Sequence, residues 1–465
     1  MTGLKREIGL IPAIATAVGI VVSSSALLML GQGFGLGGPA FIVAMLIAAT
    51  VNLCVAFSFA ELTSLIPAAG GINHYTLPAM GRTVGIFAVL AGYFLVSILS
   101  NAAESTIAGN VLHDFFFPSI SPTLWAFILM TILTLINFRG VKSYAYSQVF
   151  LAGSMIISMV ILSCIGIFGL GSGTPLETKL TFDMAAGGGI LSMLGIAFWL
   201  FVGLEFVCPL AEEIINPQRF IPIAMISALV IIFISDTLFG FMAMKYLGVE
   251  GLAASGTPHV DAASAVLGRA GQIWIGIISI IATGSTLNTF IAAIPRMLYG
   301  MAKEGQFPRV FAKINRWGAP WVGVLLTYLI TIVLLVFNDP NSVSMISTFV
   351  LSGCIGWMVC YVIAHIDVLI LRKKYPDAKR SFKVPFGPLL PILSSFGLIY
   401  MMIFIYPDAD GKIINEVSSI IFKFAGTALG ICALWSIFWV KVVMKKPLFE
   451  TVPMEKLVKE LEETA

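Results

Sequence analysis

A bilayer offers backbone N–H and C=O groups no partners. A strongly apolar chain therefore crosses it as helices of roughly 20 residues that pair their own backbone. This chain of 465 residues carries twelve apolar runs of that kind, at 9–31, 39–61, 83–112, 122–138, 144–170, 188–215, 219–246, 271–300, 319–337, 343–371, 388–406 and 418–444. It is 58% hydrophobic and 11% charged, against about 25% charged in soluble domains. An all-α integral membrane protein of twelve transmembrane helices is expected. Two runs break the pattern. The first holds Val22-Ser23-Ser24-Ser25, and the sixth holds Phe198-Trp199-Leu200-Phe201-Val202-Gly203-Leu204-Glu205. Irregular backbone at membrane depth is tolerated only where protein encloses it or a cavity adjoins it. Matching interruptions in the two halves of a membrane chain point to a binding site between them.

The basic residues set the orientation. With Lys5 and Arg6 on the cytoplasmic side, the same face receives Arg82, Arg139, Lys142, Arg219, Lys303, Arg309, Lys313 and Arg316. It also receives the dense set Arg372, Lys373, Lys374, Lys379, Arg380 and Lys383, then Lys441, Lys445 and Lys446. The opposite face receives Lys179, Lys245, Arg269 and Lys412, with Lys423 near the end of the last run. This asymmetry satisfies the positive-inside rule, so both termini are expected in the cytoplasm and the protein in the cytoplasmic (plasma or inner) membrane. The net charge of +3 is spread over inter-helix clusters and is no nucleic-acid signal. The Met1–Glu7 head is basic, but the run behind it reaches about Leu30 without a clear cleavage site, so no signal peptide is separable. Six cysteines (Cys54, Cys164, Cys208, Cys354, Cys360, Cys432) fall inside apolar runs, and four histidines (His74, His113, His259, His365) are scattered. Neither set has a metal-ligand spacing. No glycine-rich phosphate loop and no catalytic constellation is present, so neither an enzyme nor an ATP-driven machine is expected, and no cofactor.

Segments 1–5 and 6–10 each open on an interrupted helix. Because five is odd, the second set inserts upside down, an inverted-topology repeat with two helices appended. The expected divisions are 1–170, 171–371, 372–446 for the last two helices, and a cytoplasmic tail at 447–465. In that tail Glu450–Ala465 reads as a short amphipathic helix.

Four motifs then carry a family resemblance. Ala60-Glu61-Leu62 with Pro67, Gly70-Gly71 and Tyr75 follows segment 2. Phe201-Val202-Gly203-Leu204-Glu205 precedes Ala211-Glu212-Glu213, Asn216-Pro217, Arg219 and Pro222. Arg296-Met297-Leu298-Tyr299-Gly300-Met301-Ala302 leads to Gly305 and Pro308. Leu371-Arg372-Lys373-Lys374-Tyr375-Pro376 leads to Arg380-Ser381-Phe382-Lys383-Val384-Pro385. In this order the chain resembles the amino acid–polyamine–organocation superfamily. Its opening Gly3-Leu4-Lys5 and its segment 6 are most similar to the methionine/branched-chain amino-acid exporter branch. The resemblance implies a LeuT-like 5+5 fold and secondary transport of amino acids by alternating access. Where the family carries Gly-Ser-Gly in segment 1, this chain has Ser23-Ser24-Ser25. The glycines are gone, so unwinding there is left open.

An amino acid presents a carboxylate and an ammonium at fixed separation. A half-helix starting just after Ser25 offers N–H groups and a positive dipole end to the carboxylate, with Val22, Ser23, Ser24 and Ser25 around it. The first half of segment 6, ending near Trp199, Leu200 and Phe201 before Gly203, offers carbonyls to the ammonium. The competing reading is that the serines bond back to the preceding turn. The resemblance implies that Trp199 closes over substrate, the alternative being an aromatic packed against another helix. It also implies that Phe290 lines the side-chain pocket, near Asn288, while Asn101 lies in segment 3. A bulky aromatic pocket suits a neutral, apolar amino acid. A cationic amino acid or polyamine opposite Glu205 or Glu104, and a non-transporting membrane sensor, are the alternatives.

Coupling turns on segment 5. Aligning Phe150-Leu151-Ala152-Gly153-Ser154 with the family puts Ser154 where many members have a lysine, opposite Thr286 with Thr283 and Ser285 nearby. Hydroxyls together with the Gly19 and Val22 carbonyls supply the hard oxygens a sodium ion takes. A site without a cation is the other reading. Asp236, Glu104 and Glu205 are ionisable at membrane depth and so are candidates for a proton, or else structural carboxyls between helices. His365 and Asp367 are placed in the headgroup region, near the cytoplasmic end of segment 10, and Glu212, Glu213 and Arg219 in an inner-gate or loop-fixing cluster rather than among the substrate ligands. Transport direction, coupling by Na+ or H+, and oligomeric state are open.

Overall fold

The computed structural model describes residues 4–176, 189–337, 343–406 and 415–464. Lys179 and Lys412, assigned above to the outer face, lie outside them. Among the described residues the regular structure is helical, apart from one parallel bridge between Ile8 and Ile214.

Segment 1 is two helices, α1 (Leu10–Val21) and α2 (Ser24–Gly37). Between them Val22 (φ −86°, ψ 105°) and Ser23 (φ −125°, ψ 175°) are extended. The break therefore forms without glycine. Ser23 makes it possible by capping α2, its hydroxyl accepting from the Ala26 N–H at 3.2 Å. The second half-helix starts at Ser24, not after Ser25 as expected.

Next come α3 (Phe41–Leu65), the short α4 (Ile72–Ala79) and α5 (Arg82–Val89). A π turn over Leu90–Phe94 joins α5 to α6 (Leu95–Phe115). Then follow α7 (Pro122–Phe138) and α8 (Val141–Ile167). Segment 6 runs through α9 (Leu194–Trp199), a turn, and a 3-10 helix at Leu204–Glu213. Beyond it lie α10 (Pro217–Ala254), α11 (Pro258–Leu267), α12 (Arg269–Lys303), α13 (Trp321–Phe337), α14 (Val343–Lys374), α15 (Leu389–Ile403), α16 (Glu416–Phe438) and α17 (Met454–Thr464).

Among the described residues eight helical stretches are long and apolar enough to cross a membrane, and four shorter apolar helices (Leu10–Val21, Pro122–Phe138, Trp321–Val336, Leu389–Ile403) fall on expected segments 1, 4, 9 and 11. The interrupted pair is packed inside. α1 lies against α8, α10 and α12, and α2 against α10 and α9. Outer helices keep apolar side chains exposed, such as Leu135 on α7, Leu329 on α13, Phe396 on α15 and Leu434 on α16. That inversion of the soluble pattern is what a lipid-facing surface requires. Small residues bring α14 against the π turn: a Cβ on Gly92 would lie 2.0 Å from Cys360 Sγ, and one on Gly356 2.5 Å from the Ala91 carbonyl. The tail folds back onto the surface formed by α4 and α5. The Val452 N–H donates to Leu77 O at 3.1 Å, and Arg82 pairs with Glu450 at 2.6 Å.

Candidate functional site

The two breaks meet. Gly203 ends the turn of segment 6 at φ +109°, and a Cβ there would lie 3.2 Å from Ile20 Cγ1 and 3.1 Å from Trp357 Cζ2. Only glycine takes this backbone without strain and lets α1 and α14 approach so closely. Its N–H donates to Tyr361 Oη at 3.0 Å, and Tyr361 in turn donates to Glu205 at 2.5 Å. Glu205 also accepts from Trp357 Nε1 at 2.8 Å. The carboxylate beside the break is therefore held by α14 and anchors the turn.

Between the breaks lies a cavity of about 10 Å³, the space one water needs. Its apolar wall is Ile20, Val21, Trp199, Val202, Phe290 and Trp357, and its polar end is Ser23, Ser100, Glu104 and Thr286. The polar end is tightly connected. Ser25 donates to Glu104 Oε1, and its hydroxyl accepts from Trp199 Nε1 at 3.1 Å and lies 3.0 Å from Ser23 Oγ. Thr283 donates toward Ser24 Oγ at 2.9 Å and Glu104 Oε2 at 3.2 Å, while Ser24 donates to Ser279 O at 2.9 Å. The carboxylate of Glu104, 1% exposed, thus sits at the positive end of α2, where helix N–H groups lack intrahelical partners. Trp199 is pinned over the cavity by its bond to Ser25 and stands edge-on to Trp357, ring centroids 6.4 Å apart.

Several expected residues go elsewhere. Ser154 is half-buried and returns its hydroxyl to its own helix, to Phe150 O at 2.6 Å and Leu151 O at 3.2 Å. It does not face Thr286. The residue of α8 that reaches α1 and α12 is Gln148, whose Nε2 donates to Ala15 O at 3.2 Å and Ser285 Oγ at 2.9 Å. Ser154 and Gln148 stand six positions apart, about 240° around a helix at 100° per residue, so the serine points away. Gly19 and Val22 do keep their carbonyls near Thr286, whose hydroxyl lies 3.0 Å from Gly19 O and 3.4 Å from Val22 O.

Asn288 turns outward. It accepts from Asn137 at 2.8 Å and donates to Gln148 at 2.9 Å and Ser147 at 3.1 Å, forming a buried amide chain from α7 to α1 rather than a cavity wall. Asn101 points its amide at Ser97 at 3.4 Å, and its neighbour Ser100 lines the cavity instead. In the turn, Phe201 stacks on Phe233 of α10 with centroids 6.1 Å apart, and Leu200 and Gly203 are buried, so Val202 alone faces the cavity. Asp236 is buried in α10 away from the cavity.

His365 and Asp367 are also buried within the protein. His365 bridges Ser58 at 2.8 Å and Ser394 at 2.9 Å, and Asp367 accepts from Thr76 at 2.6 Å. The inner cluster forms with a different cation. Glu213 pairs with Arg296 of α12, both buried, and not with Arg219. Glu213 O also accepts from the N–H groups of Glu7 and Ile8, each at 2.9 Å, and Glu212 accepts from the Ala69 N–H at 2.9 Å. The N-terminal segment, segment 6 and α12 are thereby closed together beyond the cavity.

Trp357, Tyr361 and Gln148 were not singled out from sequence. A signal for Trp357 exists: tryptophan prefers the membrane interfaces, and this one sits in mid-helix.

The family model described as Amino acid permease matches residues 8–439. The serine/threonine exchanger SteT of Bacillus subtilis (strain 168) is 25% identical over 417 residues, covering 86% of this chain and 91% of that protein. The methylthioribose transporter of the same organism is 27% identical over 430 residues, covering 86% and 88%. The branched-chain amino acid permease BcaP, also from that organism, is 23% identical over 430 residues, with the same coverages. These relatives are transporters, not enzymes. With a helical membrane architecture and two broken helices converging on one cavity, this chain belongs to the amino acid permease family.

Proposed function

We propose that this protein is a secondary transporter of neutral, apolar amino acids, working by alternating access in the cytoplasmic membrane with both termini inside. In this reading twelve segments cross the bilayer as a 5+5 inverted repeat plus two helices. The observation that carries it is the meeting of the α2 N-terminus and the segment 6 turn around one cavity. The substrate carboxylate takes the N–H groups at Ser24 and Ser25, and its ammonium takes carbonyls near the end of α9. Its side chain lies among Ile20, Val21, Val202 and Phe290, with Trp199 as the lid. Room for it comes when Trp199 leaves Ser25 and the cavity opens. The apolar wall favours a substrate such as a branched-chain amino acid, and a relative named as a branched-chain permease agrees with this. A cationic substrate is disfavoured, because Glu104 and Glu205 are already held by donors of the protein.

Glu104 supplies the coupling in this reading. Two carboxylates cannot both stay ionised at one helix end, so the arriving substrate displaces Glu104 from Ser25 and Glu104 takes up a proton. Sodium is the weaker reading, because Ser154 is missing from its expected oxygens while Gly19, Val22 and Thr286 remain.

The test is uptake and counterflow of labelled leucine in proteoliposomes, with a sodium gradient or a pH step imposed separately. We expect uptake driven by the pH step and indifferent to sodium, competed by apolar amino acids and not by arginine, lysine or putrescine. Glu104→Gln should keep counterflow and lose the pH-driven component. Binding without counterflow in the wild type would mean a sensor. A sodium requirement abolished by Thr286→Ala would replace the proton reading.

A further inference from the structure

On the outer surface, separated from the site just described by α6, the helices α16 and α13 and the α5–α6 junction enclose a groove of about 880 Å³. On the measure by which one water needs about 10–15 Å³, it has room for several tens of such groups. That is far more than an amino acid needs and is comparable to the tails of a lipid. Its walls are almost wholly apolar, and its floor is the π turn, where Leu90 and Phe94 face it. A π turn carries an extra residue per turn and commonly marks a functional irregularity.

Along α16 the lining runs from Ile420 to Trp435. At 1.5 Å per residue that is about 22 Å, longer than the roughly 15 Å of half a hydrocarbon core. One charged side chain lines the groove, Lys423, with the Thr427 hydroxyl one turn further on. Lys423 is exposed on a helix apolar enough to span the bilayer, and among the described residues no carboxylate pairs with it. An unpaired ammonium on a lipid-facing helix calls for a partner. The groove leaves one direction for it, toward the Glu416 end.

We propose that this groove is a binding site for an anionic phospholipid, its phosphate on Lys423 and its acyl chains along α16 over the π turn. A second copy of the chain fits less well, since its helix would bury the ammonium against apolar side chains with no counter-charge. The lipid would back α6 on the face opposite Ser100 and Glu104, since Ile98 lies in the groove.

The experiment is lipid retention by the full-length protein. Protein in mixed phosphatidylglycerol/phosphatidylcholine is delipidated stepwise, and co-purifying lipid is counted by native mass spectrometry. The expected result is one phosphatidylglycerol kept in preference to phosphatidylcholine. Lys423→Gln should cut the preference about fivefold, the scale of one basic residue near an anionic headgroup, and Lys423→Glu should abolish it. Ala428→Leu should displace both lipids by filling the groove, and its unchanged melting temperature without added lipid would certify folding. Equal retention of both lipids by the wild type, or an undiminished preference in Lys423→Gln, would overturn the proposal. So would a Lys423→Gln effect accompanied by a change from dimer to monomer.

Discussion

In the proposed orientation, with both termini inside, Arg296→Met should open the cytoplasmic side. Arg296 and Glu213 are 2% and 1% exposed, and the guanidinium also donates to Ala292 O of its own helix. Removing one partner of a buried pair leaves the other charge without compensation, typically at a cost of 3–5 kcal/mol. Most of that falls on the closed form, because opening lets water reach Glu213. A bias of about 3 kcal/mol multiplies the open population by roughly 150. A native thiol reports it. Cys208 is 1% exposed on the 3-10 helix that ends at Glu213, and accepts from Thr63 Oγ1 at 3.4 Å. In inside-out vesicles, labelling of Cys208 by a membrane-impermeant maleimide, read by peptide mass spectrometry, should quicken tenfold to a hundredfold in Arg296→Met and in Glu213→Gln. The double variant Arg296→Met/Glu213→Leu leaves no orphan charge and should return most of the way to wild type. Single variants that label no faster than wild type would refute the gate. A double variant as fast as the singles would show that the effect is lost packing, not the ion pair.

Three further outcomes follow from the same geometry. Gly203→Ala forces a side chain onto φ +109° with contacts near 3.1 Å. Strain of about 2–3 kcal/mol should lower the melting temperature by at least several degrees, and recovery of wild-type stability would refute the role of the turn. Trp199→Phe keeps an aromatic lid and loses the bond to Ser25 that the substrate must break, so half-saturation for counterflow should fall about fivefold, the scale of one hydrogen bond, while Trp199→Ala removes the lid and should raise it. His74 and His259 lie in the connecting helices α4 and α11, outside the spanning helices. Burial, helped by Lys303 at His74 and opposed by Asp261 at His259, pushes both down to about 4 from an ordinary 6.5. Because the folded form resists the proton, their contribution to stability is complete above pH 6.5, falls as the pH drops toward 4, and falls no further below it. A melting series from pH 7 to pH 4 should show that slope, and His74→Gln should flatten part of it.

What could be read in advance divides along a physical line. The apolar runs and their two interruptions are local properties of the chain, and each expected segment coincides with helix. Trp199, Phe290, Glu104, Ser23 and Thr286 also arrive at the cavity, because they sit at or opposite the breaks. What failed was register. α8 is apolar on nearly every face, since lipid covers one side and protein the other. Helical periodicity therefore carries no mark of which face meets α1, and Ser154 was chosen where Gln148 reaches in. The same blindness exchanged Asn101 for Ser100, one residue and about 100° apart.

Ion-pair partners failed for another reason. Glu213 sits three residues from Asn216 and close in sequence to Arg219, yet the helix entered at Pro217 carries Arg219 away, while Arg296 arrives from α12. Nearness along the chain counts for little where each helix spans a membrane thickness and its contacts are set by neighbours far off in sequence. Glu205 makes the point from the other side. Its place left it either a proton carrier or a structural carboxyl between helices, and what holds it, Trp357 and Tyr361, comes from α14, 152 and 156 residues on. Of the two carboxylates near the breaks, the one that can change partners is then Glu104. It is bound at the α2 N-terminus, by Ser25 and Ser23, and by the Thr283 hydroxyl of α12, and the α2 groups are the ones a substrate carboxylate would claim.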